Sequence, residues 1–425
     1  MPVCRHIQAK GFRLGAKVFP AGGSAHRPAT SHRFVISAPL TPECPGCRSA
    51  KLSGPVLIPD QPVILNYRFA SAAKAAGVPR RPIEIAACRT CGLVFNQAFD
   101  PEVVPYDEHY ENTQDLSPSF LAHTRDVAGW IAGRVPAARP KILEVGCGKG
   151  TFLRTLHGLT GGTAEGYDTS YEGPTGKRKG IAFHRSYVTA AHIMYSYDIV
   201  VCRHVVEHVN DIGTFLSGLY GICAAAGNPQ VFIETPRLEW IVASSSAWDI
   251  FYEHANYFTE SSLAGLCRRA GFRLVTRRRV FGSQYQLLEL KLSTRRQVIP
   301  AADDVKPLLA ALRRMEKTTL PALRRRIDEV RLGYPWAIWG AGAKGVCLAN
   351  RLQGQPPVRL FDLNPAKQGS FVPGTRIPVL KPAARNLKGL GLVVIANPRY
   401  EQEISSELKR LQYSGPILAL GPEWH

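Results

Sequence analysis

A glycine-rich turn at the end of a short apolar run, Lys141–Gly150 (KILEVGCGKG), constrains this chain more than any other stretch. Gly146, Gly148 and Gly150 can adopt a positive φ and let a ligand approach bare backbone. Thr151–Leu153 then opens a helix whose first N–H groups lack intrahelical partners and point toward the turn. The order of strand, turn and helix predicts a nucleotide-binding α/β unit. It does not identify the nucleotide, because folds that bind dinucleotides use almost the same arrangement.

Two acidic residues narrow the choice of nucleotide. Glu144 directly precedes the turn, and Asp168 ends the next predicted strand, where an acidic side chain would contact ribose hydroxyls. The glycines also lack the one-three-six spacing of a NAD fingerprint. The stretch Glu144–Gly150 with Asp168 resembles motif I and the ribose-binding acid of class I S-adenosylmethionine (SAM) methyltransferases. The resemblance implies SAM as cofactor, bound by Glu144, Gly146, Cys147, Gly148, Gly150 and Asp168.

Strand and helix patterns alternate after helix-spaced apolar positions at about 115 to 135. The predicted strands are Ile142–Val145, Ala164–Tyr167, Ile181–His184, Ile199–Cys202, Val231–Glu234, Phe272–Thr276 and Tyr285–Leu292. Five strands with crossovers and a final pair predict an α/β fold, with a seven-stranded doubly wound SAM-methyltransferase core. Parallel sheets bind ligands at the carboxyl ends of their strands, so the glycine turn and Asp168 are expected to share one site.

Two Cys-x-x-Cys pairs, Cys44 with Cys47 and Cys88 with Cys91, precede this core. Four thiolates complete a tetrahedral zinc site without an open position, so a zinc ion there would be structural. The intervening stretch is longer than the about 15–20 residues of a compact zinc ribbon, which predicts an inserted loop. Two unrelated cysteine pairs in a reduced protein are the alternative. Either interpretation favours a reducing compartment, and we expect a cytoplasmic protein.

A tyrosine-rich connector, Tyr106–Asn112, joins the cysteine pairs to the core. The order of paired cysteines, tyrosine-rich connector and SAM core resembles the sugar C-methyltransferase group. Members of that group act on nucleotide-linked keto-deoxysugars, and tyrosines of the connector reach into the substrate site. The resemblance implies such a role for Tyr106 and Tyr110. Packing of a lid against the core is the alternative.

The fourth predicted strand runs into the segment Arg203–His208 (RHVVEH). Its histidines and glutamate also match the inverzincin protease pattern, which needs both histidines on a helix face with a free metal position. Here the segment follows a strand, where class I methyltransferases commonly carry such residues. The resemblance implies that Arg203 and His204 face the methionine or reacting end of the cofactor. Glu207 and His208 are expected to begin the next helix.

The strongest catalytic pattern is Asp249–Thr259 (DIFYEHANYFT), before a helix capped near Thr259 or Ser261. The corresponding segment of sugar C-methyltransferases carries a Glu-His pair at the active site. This implies His254 as general base and Glu253 as the residue that orients its imidazole or stabilises its cation. Methylation of carbon requires loss of a proton beside a carbonyl, and a histidine with a pKa of about 6.5 suits that step. A histidine that only fixes the loop is the alternative.

The C-terminal third contains a second glycine-rich turn. Residues 298–330 predict an amphipathic helix that Pro321 splits in two. The glycines of Trp336–Gly345 then have the one-three-six spacing, and Asp362 ends the next strand, which alone would suggest NAD. Sugar C-methyltransferases end in a similar Rossmann-like domain, with an Asp-x-Asn-Pro segment like Asp362–Pro365, lying across the substrate cleft. A phosphate-holding role and a purely structural role both stay open for Gly340–Gly345.

These patterns divide the 425 residues into five segments. The predicted segments are a basic, disordered extension (1–38), a zinc-binding module (39–100), a SAM-methyltransferase core (101–294), a helical connector (295–332) and a Rossmann-like domain on the substrate side (333–425). The extension is basic, rich in Gly, Ala, Ser and Pro, and lacks helical or strand periodicity, which favours disorder. A targeting peptide without a visible h-region and an over-long translation start are the alternatives. No apolar run reaches the ~20 residues of a membrane helix, so no membrane span is expected.

The net charge of +20 favours an anionic partner. We therefore predict SAM-dependent methylation of a small anionic substrate, with C-methylation of a nucleotide-linked keto-sugar as the specific hypothesis. O- or N-methylation of another small molecule is an alternative. An RNA methyltransferase or a zinc-ribbon nucleic-acid-binding protein is another, although the basic residues are scattered and no RNA-recognition signature is present. A nicotinamide oxidoreductase that uses Gly340–Gly345 is the last.

Overall fold

The computed structural model describes residues 42–105, 109–111, 113–293, 303–352 and 354–421. The basic extension and Tyr106, which the sequence analysis singled out, lie outside these residues.

The first part of the described chain forms an antiparallel sheet. Its elements are β1 (Leu52–Pro62), α1 (Ala72–Ala76), β2 (Arg80–Cys88) and β3 (Val94–Asn96), followed by a 3-10 turn at Pro101–Val103. β1 pairs with β2 and β2 with β3. Cys44 and Cys47 precede β1, while Cys88 ends β2 and Cys91 lies in the turn to β3. The register Leu52↔Cys88 therefore brings both cysteine pairs to one end of the sheet.

The central part forms the large sheet that the sequence predicts. Its elements are α2 (Pro118–Ala132), β4 (Lys141–Val145), α3 (Thr151–Thr160), β5 (Thr163–Tyr167), β6 (Gly176–Arg178), β7 (Ile181–His184), β8 (Ile199–Arg203), α4 (Ile212–Ala225), β9 (Gln230–Pro236), α5 (Leu238–Ala243), β10 (Asn256–Tyr257), α6 (Glu260–Arg269), β11 (Phe272–Val280) and β12 (Tyr285–Leu292). The strand order is β11-β12-β9-β8-β4-β5-β7-β6. The seven predicted strands are all present, and β6 adds a three-residue antiparallel edge.

Both faces of this sheet are covered, because successive residues of its buried strands pack into different clusters. Leu143 and Val200 pack with Leu216 of α4 and Leu263 of α6. On the other face, Ile142, Val201 and Phe232 pack with Val127 of α2 and Leu153 of α3. Helices on both faces are what a mainly parallel, doubly wound sheet requires. The predicted α/β fold class is confirmed.

The short strand β10 belongs to the N-terminal sheet, although it follows the core strands in sequence. Asn256 and Tyr257 pair antiparallel with Phe95 and Val94 of β3. β10 follows His254 after one residue. The segment with the predicted catalytic pair is therefore hydrogen-bonded into the module that carries the cysteines.

The C-terminal part is a second parallel α/β unit. Its elements are α7 (Lys306–Arg331), β13 (Trp336–Trp339), α8 (Ala343–Arg351), β14 (Arg359–Phe361), β15 (Val379–Leu380), α9 (Ala384–Leu387), β16 (Leu392–Ile395), α10 (Glu401–Arg410) and β17 (Ile417–Ala419). The strand order is β15-β14-β13-β16-β17, with all pairs parallel. One face packs Ile338 against Leu323 and Val346, and the other packs Val393 against Ile404 and Leu408.

Helix α7 runs unbroken over 26 residues with Pro321 inside it, so the predicted split into two helices is wrong. Leu320, Leu323 and Ile327 around the proline are buried. This apolar contact offsets the backbone hydrogen bond that proline removes, because helix stability in proteins comes mainly from tertiary packing. Among the described helices, none combines the length and apolar character needed to cross a membrane.

Candidate active site

The first glycine turn has the backbone geometry that only glycine adopts readily. Gly146, Gly148 and Gly150 have φ values of 75°, 51° and 78°. A Cβ on Gly146 would lie 2.2 Å from a methyl group of Val205, and one on Gly150 would lie 2.4 Å from the ring of Phe183. Side chains are therefore disfavoured at these two positions, whereas a Cβ on Gly148 would meet nothing within 4 Å, so the open space lies beside Gly148.

Asp168 lies against this turn at the end of β5. Its Oδ2 accepts a hydrogen bond from the backbone N–H of Gly148 at 2.8 Å. Its Oδ1 accepts from the backbone N–H and the hydroxyl of Ser170 at 2.8 and 2.7 Å. The carboxylate is thus fixed beside the glycine backbone, as a ribose-binding acid requires.

Glu144 and Arg203 are buried at the adjacent ends of β4 and β8. Burial raises the pKa of Glu144 to about 8, against the opposing charge of Arg203. Arg203 donates from Nε to Glu234 at 2.6 Å and lies over the ring of Phe152. Within the described chain, Oε2 of Glu144 and Nη2 of Arg203 are buried without a hydrogen-bond partner. A polar cofactor bound at the turn could provide hydrogen-bond partners for these two atoms, so Glu144 and Arg203 fit a SAM site.

His204 has a φ of 52° and lies between two buried carboxylates. Its Nδ1 lies 3.4 Å from Glu207 and its Nε2 lies 3.5 Å from Glu234. Burial opposes the charged ring, but the two carboxylates outweigh it and raise the pKa of His204 to about 9. Glu234 also contacts His123 at 2.7 Å. His204 is therefore a cation at neutral pH, held at the end of β8.

The residues after His204 do not begin the next helix. Val206–His208 form a 3-10 turn, and α4 begins at Ile212 with Asp211 as its N-cap. The prediction that Glu207 and His208 start that helix is therefore wrong. The inverzincin protease interpretation is wrong as well. His204 directly follows β8, and His208 lies in the 3-10 turn, so the two histidines do not share a helix face.

A cavity of about 270 Å³ lies between the core, the connector and the C-terminal unit. Its wall includes Asn66, Tyr110, His204, Glu207, His208, Asp249, Glu253, His254 and Tyr285, and from the C-terminal unit Trp339, Gly340, Lys344, Gly345, Asp362, Asn364 and Lys367. The structure thus brings together the predicted residues Tyr110, His204, Glu253 and His254. Asp168 and the Gly146–Gly150 turn are not part of this wall.

Glu253 is fully buried and accepts hydrogen bonds from the N-terminal module and from the tyrosine-rich connector. Its Oε1 accepts from the backbone N–H groups of Leu65 and Asn66 at 2.6 and 3.2 Å. Its Oε2 accepts from the side-chain amide of Asn66 and the hydroxyl of Tyr110, both at 2.9 Å. These contacts lock the segment that carries His254. Asn66 lacks any local sequence signal, since its partner lies far away in the chain.

His254 is 8% exposed at the cavity wall. Its ring centroid lies 4.1 Å from that of Phe251 and 4.9 Å from that of His208. Burial, followed by the neighbouring His208, holds the pKa of His254 well below its usual value, while Glu207 acts in the opposite direction. The imidazole is therefore neutral at pH 7, the form in which a histidine acts as a base, and its surroundings disfavour the protonated ring.

The second glycine turn repeats the arrangement of the first. Oδ2 of Asp362 accepts from the backbone N–H of Ala341 at 2.8 Å, and Oδ1 accepts from Asn364 at the same distance. A Cβ on Gly345 would lie 1.9 Å from the carbonyl oxygen of Gly340, so this glycine allows close packing of α8 on β13.

Two lysines line the cavity beside this turn. Lys344 pairs with Asp249 at 2.8 Å, and burial lowers its pKa. Lys367 donates to the carbonyl of Ala341 at 3.0 Å. Sequence reasoning missed both lysines and Asp249, because neither turn motif specifies them.

The four cysteines of the N-terminal module converge. The sulfur atoms of Cys44 and Cys91 are 3.5 Å apart, as are those of Cys47 and Cys88. All four lie within 4.8 Å of one another. Zinc–sulfur bonds of about 2.3 Å in a tetrahedron place the sulfurs about 3.8 Å apart, so the four residues fit a zinc ion.

Comparison with known proteins gives two family matches in tandem. Residues 118–277 match a methyltransferase domain, and residues 309–419 match a C-methyltransferase C-terminal domain. Over 82% of its length the chain is 26% identical to the C-methyltransferase NovU of Streptomyces niveus, and the match covers 88% of that protein.

Shorter matches cover the core. Over 25% of its length the chain is 31% identical to a ubiquinone biosynthesis O-methyltransferase of Pseudomonas savastanoi pv. phaseolicola, of which 48% is covered. A crystal structure of an S-adenosylmethionine dependent methyltransferase from Mesorhizobium loti aligns with 40% of this chain and 99% of its own, at 14% identity and a TM-score of 0.31.

Proposed function

Since this chain belongs to the SAM-dependent C-methyltransferases, we propose that it methylates a carbon next to the carbonyl of a nucleotide-linked keto-sugar, with His254 as the general base. One observation supports this specific reaction above the others. The neutral, buried His254 and the turn of the C-terminal unit line the same cavity. The proposed base and the proposed anion-binding turn therefore border one cavity.

The cofactor would be held at the first glycine turn. Asp168, which already contacts the N–H of Gly148, would accept hydrogen bonds from the ribose hydroxyls, and the backbone of Gly146–Gly150 would approach the ligand closely. Glu144 and Arg203 offer the buried polar atoms that lack partners in the described chain. When bound, SAM supplies an electrophilic methyl group.

On the substrate side, His254 would remove the proton from the carbon beside the carbonyl. Such proton transfer by a positioned base contributes roughly 10²–10⁴-fold to the rate. The cationic His204 lies on the same wall and would stabilise the negative charge that then develops on the carbonyl oxygen. Glu253 does not need to share in proton transfer, because its contacts with Asn66 and Tyr110 give it a positioning role.

The nucleotide of the substrate would lie at the second turn. The N-terminus of α8 presents unpaired backbone N–H groups, which favour a phosphate group. Lys367 adds positive charge at the cavity wall, and Lys344 lines it in an ion pair with Asp249. Asp362 accepts a backbone N–H of the second turn, just as Asp168 accepts one of the first. A sugar hydroxyl of the nucleotide is therefore its expected partner.

We also propose that Cys44, Cys47, Cys88 and Cys91 hold a structural zinc ion. Four thiolates close the coordination sphere, which leaves no position for a substrate. The ion would stabilise the sheet that contains β10 and thereby the segment after His254.

The test is product formation from labelled SAM with a panel of keto-sugar nucleotides, followed by mass spectrometry. We expect label in one of these sugars with wild type and none with His254→Gln, while SAM affinity stays unchanged in the variant. A fully active variant would remove His254 from the mechanism. Label in RNA, and in none of the sugars, would favour a nucleic-acid substrate instead.

A further inference from the structure

The cavity wall holds a second group of metal-ligating side chains, far from the cysteines in sequence. Glu207, His208 and His254 each offer one ligand atom, and these atoms lie within 4.8 Å of one another. All three residues line the cavity. We propose that this cluster binds a divalent transition-metal ion such as Zn²⁺, and that the bound ion inhibits methyl transfer.

The donor set matches this class of ion. Two imidazoles and one carboxylate suit zinc, cobalt, nickel and copper, whereas magnesium and calcium prefer oxygen ligands. Three protein ligands leave a coordination position open, as in zinc sites that exchange a water molecule. The open position would face the cavity, from which the ion can enter.

Neighbouring groups already orient two of the ligands. Nδ1 of His208 donates to the backbone carbonyl of Glu253 at 2.9 Å. Metal-ligating histidines commonly make such a carbonyl contact through their other ring nitrogen, which makes Nε2 the candidate ligand atom of His208. The hydroxyl of Thr235 donates to Oε2 of Glu207 at 2.9 Å and fixes that carboxylate.

The surrounding charge favours a cation. The carboxylates that line the cavity outnumber the lysines there: Glu207, Asp249, Glu253, Asp362 and Glu403 against Lys344 and Lys367. The two histidines are themselves neutral ligands when a metal is bound. A divalent ion would therefore enter a site with a small excess of negative charge.

The cluster is not the protease motif that the sequence suggested. The motif would use His204 and His208, but His204 is held between Glu207 and Glu234. His254, from the loop before β10, takes its place in the cluster. Sequence spacing therefore could not reveal this set of ligands.

Metal binding and proton removal exclude each other at His254, because both use the lone pair of the same imidazole. Inhibition thus rests on the proposed role of His254 as base. The ion site itself does not depend on that role.

The test counts zinc in the full-length protein after dialysis against micromolar Zn²⁺, by mass spectrometry of the metal. Wild type should retain the cysteine-bound ion and a second one. His208→Gln and Glu207→Gln should each retain the first and bind the second at least ~10–100-fold more weakly, the cost of losing even an outer partner of a metal ligand. His192→Gln, which changes an exposed imidazole elsewhere, should match wild type. SAM binding checks that each variant is folded.

A second ion that both cluster variants retain at wild-type affinity would overturn the site, and so would the absence of a second ion in wild type. Loss of that ion in His192→Gln would assign it to the surface. Inhibition is measured separately, as loss of turnover on addition of Zn²⁺ and its return with a chelator. If wild type binds the ion but methylates no keto-sugar, the metal site stands and the proposed function fails. Full turnover with the second ion bound would overturn the inhibitory role.

Discussion

The side-chain amide of Asn66 donates to the carboxylate of Glu253 at 2.9 Å, although the two residues are 187 positions apart in the chain. The backbone N–H of Asn66 reaches the other carboxylate oxygen at 3.2 Å. The module with the four cysteines therefore holds the loop that presents His254 to the cavity. This contact makes that module part of the proposed active site, beyond its proposed role in binding zinc.

Removal of this amide should weaken both folding and turnover. Asn66→Ala leaves one oxygen of a buried carboxylate short of a donor, and a hydrogen bond to a charged group is worth about 1.5–3 kcal/mol. We expect the free energy of unfolding to fall by about that amount and kcat to fall, with unchanged SAM affinity. Denaturant titration and steady-state kinetics measure both.

Tyr110→Phe removes the other donor to the same oxygen and provides the control for that variant. If Asn66 and Tyr110 act through Glu253, their effects on stability should not add in the double variant. Strict additivity would show that the two residues act independently.

Removal of the proposed zinc ion should destabilise the N-terminal sheet and thereby lower turnover at the proposed active site. Structural zinc contributes on the order of 10 kcal/mol to folding of small zinc modules. Cys47→Ser should therefore lower the melting temperature and also lower turnover, because β3 pairs with β10 next to the catalytic loop. Thermal melts with and without chelator measure the first effect. A variant with a lower melting temperature but full turnover would show that the cysteine module does not affect catalysis.

Asp168→Ala should weaken SAM binding by about 1.5–3 kcal/mol for each hydrogen bond to the charged carboxylate. Calorimetric titration of SAM measures this loss. Asp362→Ala is the matched control, since its carboxylate makes the same contact with the second turn. Its SAM affinity should equal that of wild type. Equal losses in both variants would show that the effect is general destabilisation.

Glu144 should give the unliganded protein a distinct pH dependence. Burial raises its pKa from 4.5 to about 8, so between these pH values the folded chain holds a proton that the unfolded chain has released. Stability from this group is full below pH 4.5, falls as the pH rises and levels off above about pH 8. Glu144→Gln removes this loss, so its stability relative to wild type should increase with pH across that window. A difference that is independent of pH would contradict the raised pKa.

Local patterns predicted the parts of the site that local geometry determines. The glycine turn and each Cys-x-x-Cys pair could be recognised because their chemistry requires those residue types at short, fixed spacing, and Asp168 because it ends the next strand. Asn66, Lys344 and Asp249 could not be recognised from the sequence, because their partners lie on distant elements. Nothing in the neighbouring residues distinguishes them from other polar residues.

Two structural predictions failed for the same kind of reason. Pro321 predicts a helix break, but burial of the neighbouring leucines keeps α7 continuous. The segment after His204 predicts a helix start, but Glu207 pairs with Thr235 and His204 in a 3-10 turn. Tertiary contacts decided the local structure in both cases.

The position of the transferred methyl group tests the proposed reaction most directly. Wild type is incubated with SAM carrying a ¹³C-methyl group and a ¹³C-labelled sample of the keto-sugar nucleotide that accepts it, and the product is analysed by NMR. We predict one-bond coupling between the methyl carbon and a ring carbon next to the carbonyl, and no such product from His254→Gln. A labelled methyl group on oxygen or nitrogen, with no carbon–carbon coupling, would contradict it.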